Sequence, residues 1–261
     1  MLFRNLGVLG RKRAGLGGFL PSQINGLELW GRWDVPSTLV VDGSNYMQSF
    51  TDQSDNNITY SQGTASAQPL YQNSKELYFD GADFIPCDDL YTIAQNDTQG
   101  TMCCWYKPVS AITGGGEFIL TFGDTNSNSF IGLVKQSNGI ISISQRRVGT
   151  TYYVLATDDV VTADNTWVHI AVVQNATEPI IYINGVNVAQ TFSVSTNKTY
   201  WVYFNNAPGY CDNFRIGCRN YNSVGDGSFV NGSMAEPLYY NTALTQPEIQ
   251  QIYNAKKSLY A

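Results

Sequence analysis

The last quarter of the chain constrains the fold most, because it places a strand next to one short and well-marked helix. This run, FVNGSMAEPLYYNTALTQPEIQQIYNAKK, covers residues 229–257. Thr245 and Glu248 have the spacing of a capping box, and Pro247 stands in the first turn, where its missing N–H costs nothing. Three apolar residues then follow the spacing of one helical face: Ile249, Ile252 and Tyr253. We therefore predict an amphipathic helix over 245–257 that covers another element.

The element beneath that helix is predicted to be a β-sheet. Residues 167–173 (WVHIAVV) and 180–188 (IIYINGVNV) have the composition of strands and are separated by a short polar loop. The dipeptide Asn184-Gly185 within the second run is typical of a type I′ turn. The pattern predicts antiparallel strands joined by tight turns.

Several segments in the C-terminal half resemble the laminin G-like branch of the concanavalin A-like lectin/glucanase fold: WVHIAVV, IYINGVNV, FRIGCRN and the C-terminal run. Four N-terminal motifs agree and stand in the order usual for that family: GLELW at 26–30, FTDQSD at 50–55, QP at 68–69 and LYFDG at 77–81. The resemblance covers about 26–257. It implies an all-β fold, an antiparallel two-sheet jelly-roll sandwich with one short C-terminal helix. It implies much less about function, because this fold includes lectins, glycosidases, adhesion modules and virion proteins.

The composition agrees with one large β domain. The 261 residues include 24 glycines, 17 tyrosines and 12 phenylalanines, and only 14% are charged. β-sandwiches of this length commonly form a single domain. No apolar run approaches the roughly 20 residues of a membrane span, so we expect no membrane partner. The predicted boundaries are 1–25 for an extended N-terminal arm and 26–261 for the jelly roll.

The five cysteines show no repeated spacing: Cys87, Cys103, Cys104, Cys211 and Cys218. Cys103 and Cys104 are adjacent on a predicted strand, so their side chains point to opposite faces. We predict buried, reduced thiols, with a disulfide between Cys211 and Cys218 as the open alternative.

The first 20 residues, MLFRNLGVLGRKRAGLGGFL, differ from the rest of the chain in glycine content and charge. Residues 1–13 hold four of the 15 basic residues and no acid, which leaves 11 basic against 21 acidic side chains elsewhere. This asymmetry favours an arm that binds a partner surface, and a solvated terminus is the alternative. The predicted contact residues are apolar or basic: Leu2, Phe3, Arg4, Leu6, Leu9, Arg11, Lys12 and Arg13.

The sequence contains no catalytic motif that we recognise. Glycosidases on this fold resemble one another in placing catalytic carboxylates two residues apart on one strand, and no two acidic residues here have that spacing. Glu76 and Asp80 are four positions apart, roughly 13 Å along a strand, whereas glycosidases need ~5 to 9.5 Å. The only histidine, His169, alternates with apolar residues and is interpreted as structural. We predict no enzymatic activity.

Two binding sites are predicted on the loops. Laminin G-like domains often bind calcium through aspartates and backbone carbonyls, so the resemblance makes Asp80, Asp83 and Asp124 candidate calcium ligands, although each also stands at a turn signal. No other cofactor is expected. An exposed aromatic platform with neighbouring amides could bind a glycan or a protein, and its candidate residues are Trp201, Tyr203, Asn205 and Tyr210.

The chain most resembles the laminin G-like proteins encoded among virion genes of tailed bacteriophages. That resemblance implies a capsid decoration or cement protein of the virion, assembled in the host cytoplasm. Its arm would bind the major capsid protein or other virion subunits. We expect a homo-oligomer, such as a trimer, and no nucleic-acid partner. The alternative is a carbohydrate-binding adhesin module of a tail or fibre, which would bind a cell-surface glycan through its loops. A secreted adhesion domain is disfavoured because no signal-peptide core is present.

Overall fold

The computed structural model describes residues 18–109, 116–206 and 209–260. The eight predicted arm contacts, from Leu2 to Arg13, lie outside the described residues. Residues 19–25 were also assigned to the arm, but Phe19 and Leu20 pack against the apolar cluster beneath the C-terminal helix. The folded body therefore begins near Phe19 rather than at residue 26.

The described residues form twenty strands and three α-helices. In chain order the strands are β1 (Leu27–Trp30), β2 (Leu39–Val41), β3 (Met47–Thr51), β4 (Thr59–Ser61), β5 (Leu70–Gln72), β6 (Glu76–Asp80), β7 (Ile85–Pro86), β8 (Gly100–Pro108), β9 (Glu117–Gly123), β10 (Phe130–Lys135), β11 (Ile141–Arg147), β12 (Thr150–Thr157), β13 (Val168–Gln174), β14 (Pro179–Ile183), β15 (Val186–Asn187), β16 (Gln190–Ser195), β17 (Asn213–Ile216), β18 (Arg219–Asn220), β19 (Asp226–Gly227) and β20 (Asn231–Tyr240). The helices are α1 (Asp88–Ala94), α2 (Val202–Asn206) and α3 (Gln246–Tyr260), and short 3₁₀ helices cover Pro21–Gln23, Pro36–Thr38 and Ala65–Ala67.

Two antiparallel sheets pack face to face. The first has the order β15-β14-β13-β8-β20-β6-β5, with β1 also paired to β20, and the second has the order β16-β12-β11-β10-β9-β17-β7. The central pairs β8–β13, β8–β20, β9–β10 and β10–β11 are all antiparallel. The predicted two-sheet jelly-roll sandwich is confirmed. A three-stranded sheet, β2-β3-β4, and the β18-β19 pair complete the described strands.

The space between the two sheets is filled by aromatic and aliphatic side chains. The ring centroid of Phe122 in β9 lies 4.6 Å from that of Phe214 in β17 of the same sheet. It lies 5.3 Å from that of Tyr239 in β20 of the first sheet. Cys104 belongs to this core, whereas Cys103 faces the cluster under α3, as the alternation along β8 predicts. All five cysteines are buried and none of them forms a disulfide, so the alternative Cys211–Cys218 disulfide is wrong.

Helix α3 covers the outer face of the first sheet. The Glu248 carboxylate accepts hydrogen bonds from the backbone N–H of Thr245 at 2.8 Å and from its hydroxyl at 2.7 Å, so the predicted pairing of these two residues is confirmed. Ile249 and Ile252 are buried against the sheet. The helix continues three residues past its predicted end because the ring of Tyr260 packs on the first sheet. No described helix is both long and apolar enough to span a membrane.

His169 lies beneath α3, where it contacts Trp105 and Tyr253 with centroid distances of 5.3 and 6.0 Å. Burial lowers the pKa of its imidazole to about 3, so the ring is neutral at ordinary pH. Asn184 and Gly185 have φ values of 51° and 81°, which are those of the predicted type I′ turn between β14 and β15.

Candidate functional site

Four loops meet at one end of the sandwich, and we call this end the rim. They cover residues 124–129, 147–150, 196–206 with 209–212, and 220–225. Hydrogen bonds join them: Gly149 N–H to Asn128 O at 2.9 Å, Thr125 N–H to Asp212 Oδ1 at 3.0 Å, and Asn222 N–H to Asp124 O at 3.0 Å. The rim is therefore a surface of loops that are joined by hydrogen bonds and anchored on the strands of the sandwich.

A pocket of about 290 Å³ opens on the rim beside α2, and we call it the rim pocket. It is lined mostly by apolar and aromatic side chains: Thr98, Ala176, Thr199, Tyr200, Trp201, Tyr203 and Phe204. Of the two predicted platform residues in this lining, Tyr203 is 45% exposed and Trp201 only 1% exposed. Tyr203 can therefore contact a ligand across its ring face. The prediction that Trp201 is an exposed platform residue is wrong, because its indole Nε1–H donates to the Tyr239 hydroxyl in the core at 3.2 Å.

A stack of rings supports the rim pocket from behind. Tyr200 and Phe204 lie face to face with centroids 3.3 Å apart, and Tyr152 meets both edge-on at 5.1 Å. The guanidinium carbon of Arg147 lies 4.5 Å from the ring centroids of both Phe204 and Tyr210. The predicted residue Tyr210 thus belongs to the rim as one side of a cation–π contact. The side chain of the fourth predicted residue, Asn205, lies outside the described residues.

Sequence reasoning missed Arg147, Phe204 and Tyr200 as site residues. The run YWVYF at 200–204 is strand-like in composition, but its last three residues begin helix α2. Tertiary contacts override the β propensity here: Trp201 is drawn into the core, and the Tyr203 backbone N–H donates to the Asp97 carbonyl at 2.9 Å. The density of aromatic residues in this run was the available signal.

A second feature lies on the outer face of the second sheet, and we call it the arginine–aromatic cluster. It consists of Phe118, Phe130, Arg146, Arg219 and Tyr221. The guanidinium carbon of Arg219 lies 3.8 Å from the ring centroid of Tyr221, 4.2 Å from that of Phe118 and 5.0 Å from that of Phe130. The guanidinium of Arg146 lies 5.6 Å from the Phe130 ring.

Glycine at position 132 makes this arrangement possible. A Cβ at Gly132 would lie 2.7 Å from the Phe118 ring, so only glycine lets that ring lie across strand β10. Phe118 and Phe130 then meet edge-on at 5.4 Å and are 5% and 3% exposed. The two rings form a nearly buried floor beneath Arg219.

The three predicted calcium ligands do not form one site. The Asp83 carboxylate accepts the backbone N–H of Asp80 at 2.9 Å, whereas Asp124 accepts two backbone N–H groups of its own rim loop at 2.6 Å. Burial, together with the nearby Asp80 carboxylate, raises the pKa of Asp83 to about 7. In the described ranges, no three or more His, Cys, Asp or Glu side chains form a group that could hold a metal ion. The predicted three-aspartate set is therefore not assembled.

Two buried glutamates are each held beside a lysine. Glu76 of β6 lies 3.2 Å from the Lys107 ammonium, and Glu117 of β9 lies 3.6 Å from that of Lys135. The Tyr106 hydroxyl also hydrogen-bonds to Glu117, whose pKa is raised chiefly by burial. Neither carboxylate lines the rim pocket.

We expect no hydrolysis of laminarin, agarose, carrageenan or peptidoglycan. Glu76 and Glu117 lie in different sheets, and the sequence lacks the spacing of two carboxylates that glycosidases of this fold use. Assays for reducing ends should match a protein-free blank. Hydrolysis above the blank that disappears in Glu76→Gln or Glu117→Gln would contradict this expectation.

Comparison with known families identifies the architecture. Residues 79–250, about two thirds of the chain, match the Laminin_G_3 family model of the concanavalin A-like lectin/glucanases superfamily. The chain belongs to this superfamily. The laminin G-like match covers most strands of both sheets, the rim and the first turn of α3. No curated protein matches the chain.

Solved structures share the laminin G-like fold of this chain at low identity. The carbohydrate-binding module CBM40 of the Ruminococcus gnavus IT-sialidase, bound to alpha2,3 sialyllactose, has a TM-score of 0.57 and 14% identity over 69% of this chain and 96% of the module. A leech intramolecular trans-sialidase in complex with 2,7-anhydro-Neu5Ac has a TM-score of 0.56 and 16% identity over 68% of this chain and 26% of that one. The NanB sialidase of Streptococcus pneumoniae has a TM-score of 0.54 and 14% identity over 66% and 26%. At these identities the likeness is one of fold.

Proposed function

We propose that this laminin G-like protein is a non-catalytic module that binds a glycan at its rim pocket. The observation that carries this proposal is an open, aromatic-lined pocket that presents the ring of Tyr203 to solvent. Sugar rings pack their C–H faces on aromatic rings, while their hydroxyls need hydrogen-bond partners nearby. The hydroxyl groups of Thr98 and Thr199 stand in the same lining and could provide such partners.

The architecture of the structural neighbours supports a binding role. The Ruminococcus gnavus module has nearly the same extent as the matched part of this chain, and its structures contain alpha2,3 and alpha2,6 sialyllactose. We infer that the present chain likewise recognises a glycan of a cell surface. This corresponds to the adhesin alternative of the sequence analysis, which the comparisons favour over a purely structural role.

The Tyr203→Ala variant should bind about 5- to 150-fold more weakly to any glycan that the wild-type protein retains on a glycan array, because stacking on an aromatic ring is worth roughly 1–3 kcal/mol. Tyr46→Ala is the matched control, since Tyr46 is 41% exposed, lies just before β3 and does not line the rim pocket. Equal loss in both variants, or unchanged binding by Tyr203→Ala, would contradict a site at the rim pocket.

A role in the virion remains a second proposal, and it rests on the charge asymmetry of the sequence. Four basic and several apolar residues precede residue 14, whereas the remaining chain has 21 acidic against 11 basic residues. We propose that this arm attaches the protein to capsid or other virion subunits, with homo-oligomers as the attached species, while the rim binds its glycan.

A chain that begins at Gly18 should keep the thermal stability of the full chain, because the described body begins near Phe19. It should also fail to associate with particles in co-sedimentation. Replacing Arg11, Lys12 and Arg13 with serine should weaken association and make it more sensitive to salt. Full occupancy of particles by the truncated chain would contradict the arm as anchor.

A further inference from the structure

We propose that the arginine–aromatic cluster is an oxyanion subsite, so that the glycan bound by this protein carries a carboxylate or a sulfate group. The inference rests on the proposed glycan-binding function and names the chemical class of its ligand. It is carried by two guanidinium groups that lie close together on an aromatic floor without a carboxylate partner.

The arginines among the described residues differ in whether they form ion pairs with acidic side chains. Arg32 lies 3.7 Å from Asp34, and Arg215 contacts both Asp88 and Asp226. By contrast, Arg146, Arg147 and Arg219 form no ion pair with an acidic side chain in the described ranges. All three lie at or near the rim. In a chain with 21 acidic and 15 basic residues, three arginines without an acidic ion-pair partner in one region are available to bind an anion.

Arg219 is partly buried and lies beside a second positive charge, that of Arg146. Burial is the largest effect on its guanidinium and lowers its pKa; the neighbouring Tyr221 opposes this, and the charge of Arg146, a smaller contribution than that of Tyr221, lowers the pKa again. The Nε of Arg219 is buried and lacks a hydrogen-bond partner among the described residues. Holding two like charges close together is unfavourable unless an anion lies near them.

The guanidinium groups of Arg219 and Arg146 are each held in place by neighbouring side chains. Arg219 is held against three aromatic rings, and the Arg146 Nε–H donates to the Thr151 hydroxyl at 3.1 Å. Both planar donor groups are therefore pre-positioned. A guanidinium binds the two oxygens of a carboxylate or a sulfate through parallel hydrogen bonds, which an ammonium cannot do. Arg147, the next residue along β11, points to the opposite side of the strand and contacts the rim rings of Phe204 and Tyr210, so the cluster is a subsite separate from those rings.

Three polymers with the same backbone can test this proposal: dextran, carboxymethyl-dextran and dextran sulfate. Calorimetry on the full chain should show at least about tenfold tighter binding of one or both anionic polymers than of dextran. The stronger of the two identifies the oxyanion as a carboxylate or a sulfate. Arg219→Gln and Arg146→Gln should each reduce that preference about tenfold, because a hydrogen bond to a charged group is lost.

Two further variants make the result specific. Arg219→Lys keeps the charge but should lose most of the preference, since the planar fork is removed. Lys257→Gln removes an exposed charge from α3, on the outer face of the other sheet, and should bind like the wild type. Thermal melts will identify any variant that does not fold, in which case the lysine variant decides the outcome.

The outcomes separate this inference from the proposed function. Anionic preference that is unchanged in Arg219→Gln and Arg219→Lys, or no preference for anionic polymers, overturns the oxyanion subsite. The rim pocket would still stand if array glycans were lost in Tyr203→Ala. Loss of anionic binding in the arginine variants, with array binding unaffected by Tyr203→Ala, would support the subsite and contradict the rim pocket.

Discussion

Replacing Lys256 with methionine should lower the free energy of unfolding by about 3–5 kcal/mol, the range measured when one partner of a buried ion pair is removed. The Lys256 ammonium lies 2.6 Å from Asp34 and 2.9 Å from Glu236, and the Glu236 side chain is 3% exposed. Methionine keeps the apolar stem but leaves the Glu236 carboxylate without a counter-charge and the Asp34 carboxylate with Arg32 alone. The loss should be measured by chemical denaturation at pH 8, above the pKa of about 7 that Glu236 has beside Lys256.

The adjacent residue provides the control for this prediction. Lys257 is exposed, so Lys257→Met should change stability by less than about 0.5 kcal/mol. Adding Glu236→Gln to Lys256→Met should restore part of the lost stability, because it removes the carboxylate that is left unpaired. A single Lys256→Met variant within about 1 kcal/mol of the wild type would show that this network does not hold α3 on the sheet.

Raising the pH from 5 to 8 should lower the stability of the wild-type protein, because several buried carboxyls together outweigh His169, whose pKa of about 3 makes it act in the opposite direction up to about pH 6.5. Burial raises the pKa of Glu236 from 4.5 to about 7, despite the opposing Lys256 charge. The folded state therefore binds more protons than the unfolded state between these two pH values. The contribution of Glu236 to the free energy of unfolding is fully present below pH 4.5 and is lost as the pH rises through 7. For this nearly inaccessible group the difference corresponds to about 3 kcal/mol.

Other buried carboxyls should act in the same direction. Burial raises the pKa of Glu28 to about 7 and that of Asp97 to about 6, with each half-buried. Thermal melts across pH 5–8 should show a falling transition temperature, and Glu236→Gln should flatten the profile. A wild-type transition temperature that rises over this range would contradict the assignment of raised pKa values.

Much of the fold could be predicted from the sequence because local rules and packing agree there. The Thr245–Glu248 pair, the apolar face of α3 and the Asn184-Gly185 turn each depend on residues close in the chain. The opposed burial of Cys103 and Cys104 follows from strand alternation alone. The resemblance to laminin G-like proteins then placed these elements in two sheets.

The site was less predictable because it is built by contacts between distant segments. Tyr203 and Tyr210 were predicted, but the burial of Trp201 depends on Tyr239, 38 residues along the chain. Arg146 and Arg219 come together across 73 positions, and neither belongs to a motif. Their unpaired charges become visible only when the neighbouring side chains are placed, and the same holds for the failure of Asp124 to join Asp80 and Asp83.

The central claim, that the rim pocket binds a glycan, is tested most directly by chemical-shift mapping. Isotope-labelled full-length protein would be titrated with the glycan that it retains on an array. We expect the largest shifts at residues 199–204, Arg147 and Tyr210, with Tyr46 and helix α3 unchanged. Shifts confined to another surface, or to residues 1–17, would contradict the rim pocket as the binding site.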